Sequence, residues 1–494
     1  MNTNKTSLLR GKLLAKNSVY SFIGMILPMI AGLIAIPFLI NKLGEESFGL
    51  LILFWSTISY ITMLDFGLNR AATKYFAQNI GMLKESENLS LLMTSIVFVL
   101  LVGILAGSVL FLGSDLLVNK IFSEDSSLKL LANNCFKLIS FYSPVLLLIP
   151  TISAFLRSYQ NFKWLSIVTS INGILNYVIP VFAVIWSLSL FDIIKALLIV
   201  KVLILLALIG GSANFINVSK FSTEKLNLIQ NMRKLIKFGG WVSVSNFLTP
   251  LFEYSDRFII ATYLTVSAVA IYGTPLEIVL KVGMIAVAIS GVIFAAISNS
   301  IEHDFVKTEK IINKGLSATT LLSYPIIITL TLFANEGLTW WVGEGISAEG
   351  ALVLQIVALG VLFRCSTNLS IAYLHSVDKP EITAKTHLVE FVLYILSLVI
   401  MAKFFGLYGV AIAHSGRLIL DNILMSYFAQ KNSKEMNLDF IKNSKIIFML
   451  TLTSIPAFLS ISIIIKLIWW TFLAIAYLIY VYKNFKELNT LFQK

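Results

Sequence analysis

The chain has 494 residues, 57% of them hydrophobic and 13% charged, with a formal charge of +12; a soluble domain carries about 25% charged residues, so the composition excludes one and indicates an integral membrane protein. The positive charge does not signal nucleic-acid binding, because a basic patch needs a solvated face and here the lysines fall between apolar segments. Cys135 and Cys365 each lie inside an apolar stretch, so neither a disulfide framework nor a zinc site is signalled.

The N-terminal stretch MNTNKTSLLRGKLLAKNSVYSF is basic and lacks a small-residue cleavage site, so it reads as a cytoplasmic tail and not a signal peptide. Apolar segments of about 20 residues then recur, each able to cross a hydrocarbon core of about 30 Å as a helix. About fourteen spans are expected, near 18–40, 48–67, 89–113, 134–156, 164–186, 191–213, 238–262, 268–300, 315–334, 350–374, 383–402, 406–428, 444–465 and 467–483.

Span 1 holds Pro28 near its middle. Span 2 runs into LDFGLNRAATKYFAQN, which puts Asp65, Arg70 and Lys74 where the chain leaves the membrane, a place for snorkelling anchors. Lys137 and Lys195, near outer ends, read as interfacial by the same argument. Asn172 and Asn176 on span 5 form an i,i+4 polar face, suited to interhelical hydrogen bonds or to sugar contact. Span 6 carries Lys201, and the basic segment Ser219 to Lys237 follows it. Span 7 contains TPLFEYSDRFII, with Glu253, Asp256 and Arg257 in an otherwise apolar run; Glu253 is four residues before Arg257, and Asp256 has no such partner. Glu277 precedes Lys281 by four on span 8, and Arg417 precedes Asp421 by four on span 12. Arg364 on span 10 and Glu390 on span 11 lack a same-helix partner. Lys201, Lys281, Arg364 and Arg417 lie roughly 10 to 14 residues from the nearer end of their spans, close to the midplane.

Basic loops stay cytoplasmic, and the N-terminal tail, even loops and C-terminus hold about 26 Lys and Arg against about 5 in the odd loops. Both termini are therefore expected in the cytoplasm. The loop ANEGLTWWVGEGISAEG has no Lys or Arg and carries Trp340 and Trp341, as a non-cytoplasmic interface should. A weak internal repeat aligns Pro28 with Pro250 and Phe48-Gly49 with Tyr272-Gly273. It divides the chain into an N-terminal lobe 1–218, a C-terminal lobe 219–430 and two further helices in 431–494: an all-α membrane protein of two six-helix lobes in one orientation plus two C-terminal helices.

The sequence holds no nucleophile elbow, phosphate loop or dinucleotide fingerprint, so neither a catalytic residue nor a cofactor is expected. His303, His375, His387 and His414 are scattered without a ligand pair, so no metal site is expected either. What remains is the set of ionisable residues within spans, which by default face a bundle interior or a wet cavity. After same-helix pairing, Lys201 and Arg364 leave a surplus of positive charge near the midplane, which suits an anionic substrate; arginine's fork of donors matches phosphate oxygens. The bland alternative is self-neutralised pairs that lock helix packing.

The segments KNSVYSFIGMILPMIAGLIAIPFLINKLGEESFGLL, LDFGLNRAATKYFA, SDRFIIATYLTVSAVAIYGTP and WWVGEGISAEGALVLQIVALGVLFRCSTNLSIAYLHSVDKPEITAK resemble the polysaccharide transporter family. That family includes the Wzx O-antigen and capsule flippases, within the superfamily of the MATE drug exporters and MurJ lipid II flippases. The resemblance implies two six-helix lobes around a central cavity. It also implies the movement of an undecaprenyl-pyrophosphate-linked oligosaccharide across the bacterial inner membrane, with lipid tails left in the bilayer and polysaccharide polymerase and chain-length machinery as partners. By position, Asp256 with Arg257 fits the family's charged place in helix 7, and Asp65 the one ending helix 2. MurJ proteins carry arginines in helices 1 and 2; this sequence has none there, which argues against lipid II as cargo.

The expected site is then a cationic set, Arg257, Lys281, Arg364, Arg417 and Lys201, receiving the pyrophosphate and acidic sugars. An acidic set, Asp65, Glu253, Asp256, Glu277, Glu390 and Asp421, would hold helices in register or exchange a coupling proton or sodium ion. The rival readings are a drug/cation antiporter on the same fold, a membrane-embedded glycan polymerase or ligase, and an uncoupled scramblase or channel.

Overall fold

The structure is a computed structural model that describes residues 3–65, 67–81, 85–122, 127–215, 228–300, 304–433, 436–459 and 461–489. His303, residues 219–227 of the basic segment and the side chain of Arg70 lie outside the described residues. The regular elements among the described residues are all helical.

Ten of these helices are long and apolar enough to cross a membrane, and the protein is a multi-pass membrane protein. Two of the ten hold a reversal inside one continuous run. α1 (Thr3–Met63) is broken at Gly44, with φ 77°, and α12 (Pro380–Lys431) at Gly406, with φ 58°. Both angles lie where a Cβ would clash, so glycine is what lets the chain turn there. α1 thus supplies spans 1 and 2, and α12 spans 11 and 12.

Between them, α2 (Leu68–Gly81) is 14 residues long, about 21 Å at the helical rise, and too short to cross. The next helices in order are α3 (Glu85–Ile121), α4 (Ser127–Ser158), α5 (Phe162–Ile185), α6 (Leu190–Ser212), α7 (Leu228–Tyr263), α8 (Val266–Ser300) and α9 (Phe305–Leu332), of which all but α7 are among the ten. The tryptophan loop is itself a short helix, α10 (Ala334–Val342), and Trp340 on it is 87% exposed. α11 (Glu344–Ser376) precedes α12.

A single helix over 444–465 is not what forms. α13 (Phe440–Leu452) stops early, a 3-10 turn occupies Ile455–Phe458 and α14 (Ile463–Asn489) then begins. Pro456 lies in that turn, and having no N–H it cannot continue the α-helical ladder.

The described chain forms two compact units, Met1–Tyr254 and Ser255–Lys494. In the first, α3 packs on α4, α1 on α5, and α4 on α6. Gly103 and Gly107 form a G-x-x-x-G pair on α3. A Cβ on Gly103 would lie 2.6 Å from Cα of Pro144, and one on Gly107 would strike the Ser140 carbonyl oxygen. Small residues at that spacing let two helix backbones approach directly. Pro28, inside α1, is received in the same way: its ring occupies the space a side chain at Gly173 of α5 would need.

In the second unit α11 packs on α8, α9, α10 and α12. It is buried along most of its length, as a helix packed on four others should be. Ile293, Ile297, Leu316, Leu369, Tyr373 and Phe440 form a core there. The outward residues of α3, such as Leu101, Leu105, Leu112 and Leu116, are exposed in the chain itself; hydrocarbon, not water, is the solvent that such a face fits. Both cysteines are buried and free.

Candidate functional site

The charged residues singled out from the sequence fall into three groups. In the first unit, Lys201 of α6 is buried, and its Nζ donates to Asn172 Oδ1 at 2.7 Å and Asn176 Oδ1 at 3.0 Å, both on α5. The i,i+4 asparagine face therefore makes an interhelical hydrogen bond to a cation, the first of its two expected uses. An ammonium held by two amide carbonyls is solvated without being neutralised.

Asp65 follows α1, and its carboxylate accepts from the backbone N–H of Gly67 at 3.2 Å and of Asn69 at 3.1 Å. It caps the start of α2, satisfying N–H groups that a helix start leaves open, with an anion at the positive end of the dipole. Lys137 pairs with Asp115 at 3.1 Å and lies over the Phe111 ring. Neither half of that pair is deeply buried, consistent with its interfacial reading.

The third group is in the second unit and is the candidate site. Asp256 is 0% exposed and Arg257 2%. Nη1 and the backbone N–H of Arg257 both donate to Asp256 Oδ1, at 3.1 and 2.8 Å. Tyr272 of α8 donates its hydroxyl to Oδ2 at 2.8 Å, and His414 Nδ1 of α12 approaches the same oxygen at 3.3 Å. An ionised carboxylate only accepts, so the hydrogen between these last two belongs to His414 Nδ1. Tyr394, on the other half of α12, brings its hydroxyl to 3.2 Å from that nitrogen.

Asp256, which has no oppositely charged residue four positions away, is therefore a heavily bonded acid. The sequence rule looked one helical turn along α7, whereas the partners come from the adjacent residue and from two other helices. Arg257 turns its second guanidinium nitrogen toward Glu277, 4.0 Å away, and Glu277 in turn pairs with Lys281 at 3.4 Å, as the i,i+4 spacing predicts. Glu253 lies one turn before Arg257 on α7.

The expected Arg417–Asp421 pair is replaced. Arg417 places its guanidinium 5.3 Å from the centre of the Tyr394 ring, a cation–π arrangement. Asp421 instead faces His387, Oδ1 to Nε2 at 3.4 Å. Glu390 lies one turn after His387 and joins them, so that one ligand atom from each of the three side chains falls within 4.8 Å of the other two. Arg364 is half-buried on α11. The histidines show no ligand spacing by themselves, so His387 and His414 were invisible as site residues. Only the His387-x-x-Glu390 spacing, which puts both on one helix face, could have pointed to the first.

The arrangement offers buried cations able to meet an anion, a carboxylate–imidazole–phenol chain able to hold a proton, and a three-ligand cluster. Residues 14–301 match the polysaccharide biosynthesis protein family. A Shigella flexneri protein to which O-antigen transport is attributed is 30% identical over 415 residues, covering 83% of this chain and 96% of that one. Among solved structures, the lipid II flippase MurJ in an inward closed conformation superposes with a TM-score of 0.72 at 16% identity, covering 95% of this chain and 99% of that one. A MATE multidrug transporter in an inward-facing conformation gives 0.69 at 15%, covering 88% and 99%. The fold is thus the MATE and MurJ one, and by sequence the chain belongs to the polysaccharide biosynthesis protein family.

Proposed function

We propose that this protein is a flippase for a lipid-linked oligosaccharide, with undecaprenyl pyrophosphate as the carrier, working from the cytoplasmic face of a bacterial inner membrane with both termini cytoplasmic. The observation that carries the reading is the similarity, over 83% of this chain, to the Shigella flexneri protein to which O-antigen transport is attributed. The lobes 1–218 and 219–430 would alternate access, with 431–494 appended. The chemistry on hand is binding, not bond-making.

Of the cations, Lys281 and Arg364 are the more accessible and Arg417 the less, and these three would meet the pyrophosphate and acidic sugars. Arg257 and Lys201 are already engaged, by Asp256 and by two asparagines, and would serve as internal struts. Glu253 and Glu277 would keep helices in register or exchange a proton or sodium ion, Glu390 and Asp421 would hold the two halves of α12 in register, and Asp65 would act through its cap. A drug/cation antiporter is less well supported, because Asp256 already has Arg257, Tyr272 and His414 around it and is not open to a cationic ligand.

The test is replacement of the chromosomal copy by Arg364→Ala or Arg417→Ala. Each variant should abolish surface polysaccharide while membrane levels of the protein stay normal. Normal surface glycan in both would sink the cationic-site reading.

A further inference from the structure

His387, Glu390 and Asp421 are all buried, on the 380–405 and 407–431 halves of α12 that meet across the Gly406 reversal. Glu390 is 1% exposed, and neither of its carboxylate oxygens has a hydrogen-bond partner among the described residues. A buried carboxylate left so is costly, and a proton shared with Asp421 would need a hydrogen bond that the two do not make.

We infer that His387, Glu390 and Asp421 form a binding site for a divalent transition-metal ion of the zinc class, tying the two halves of α12 together. An imidazole with two carboxylates selects a borderline metal over sodium, magnesium or calcium, which take all-oxygen sites. Tetrahedral bonds of about 2.0–2.1 Å put neighbouring ligand atoms about 3.3–3.4 Å apart, and His387 Nε2 to Asp421 Oδ1 is already 3.4 Å. Glu390 has to close only part of the 4.8 Å that bounds the cluster. Three protein ligands leave a fourth position open. Because one ligand comes from the half after Gly406 and two from the half before it, a bound ion holds that reversal at a fixed angle and works as a brake on any motion that opens the hairpin.

The experiment uses the full-length protein, purified in detergent, stripped with a chelator and given zinc chloride alone, with no glycan present, so its outcome is independent of the flippase reading. The chain should retain one zinc after gel filtration, and titration calorimetry should show binding weakened by about tenfold or more in Glu390→Gln, Asp421→Asn and His387→Ala. X-ray absorption at the zinc edge should show nitrogen and oxygen neighbours at about 2.0–2.1 Å and no sulfur. Wild-type protein should melt at a higher temperature with zinc and not with sodium chloride, which keeps the test valid if a variant misfolds. Wild type that retains no zinc, three variants that all bind as tightly as wild type, or stabilisation by sodium alone would each overturn the inference.

Discussion

Asp256→Asn keeps the shape of the side chain and removes its charge, which isolates the electrostatic part of the buried network. The guanidinium of Arg257, 2% exposed and 3.1 Å from Asp256, then loses that carboxylate, and Glu277 lies farther off at 4.0 Å. Breaking a buried pair by removing one partner costs about 3–5 kcal/mol, because the remaining charge stays desolvated. The hydrogen bonds from Tyr272 and His414 persist in weaker neutral form at best, since an amide has one acceptor oxygen where the carboxylate had two. A loss of about 3–5 kcal/mol is therefore expected in equilibrium unfolding in mixed micelles. The double variant Asp256→Leu with Arg257→Met should cost less than Asp256→Asn alone, because it leaves no orphan charge. A loss below about 1 kcal/mol for Asp256→Asn, within the range of ordinary substitutions, would refute the reasoning, as would a double variant no better than the single one.

Three further outcomes are expected. Gly107→Val should destabilise by about 1–3 kcal/mol or more, because its Cβ meets the Ser140 backbone and not a movable side chain; Gly113→Ala, on the same helix with nothing within 4 Å, is the neutral or stabilising control in thermal melts. Asn172→Leu should cost about 1.5–3 kcal/mol by taking one acceptor from the Lys201 ammonium, and Lys201→Met in that background should recover most of it, as a double-mutant cycle would measure. Tyr272→Phe should lose a charged hydrogen bond worth about 1.5–3 kcal/mol, with Lys137→Met, in a partly exposed ion pair, as the comparison with little effect.

The helices were legible because hydropathy over about 20 residues reports directly on what can cross a bilayer. Where the reading slipped, the cause was local: Pro456 ends one helix inside a run apolar enough to pass for a single span. The site was legible only along each helix. The Glu277–Lys281 pair obeys the i,i+4 rule, but Asp256 finds Tyr272 and His414, and Asp421 finds His387, through contacts 16, 158 and 34 positions apart in sequence. Periodicity carries no information about such pairs, because which faces of two helices meet is decided by packing around α11. Lys201 shows the same limit from the other side: its asparagine partners were visible as a polar face, yet nothing in the sequence joined that face to the lysine one helix away.

The contact of α3 with α4 has a mechanical consequence. Side chains between helices act as compliant spacers: they change rotamer and let one cylinder slide past the other. At Gly103 and Gly107 that spacer is missing, and the backbone of α3 bears on Ser140 and Pro144 of α4 directly. Sliding either helix along the other would drive main chain into main chain within a fraction of a turn. The pair is thus a single stiff plank, and any rearrangement within the first unit must take up its motion elsewhere, at joints where side chains still separate the helices.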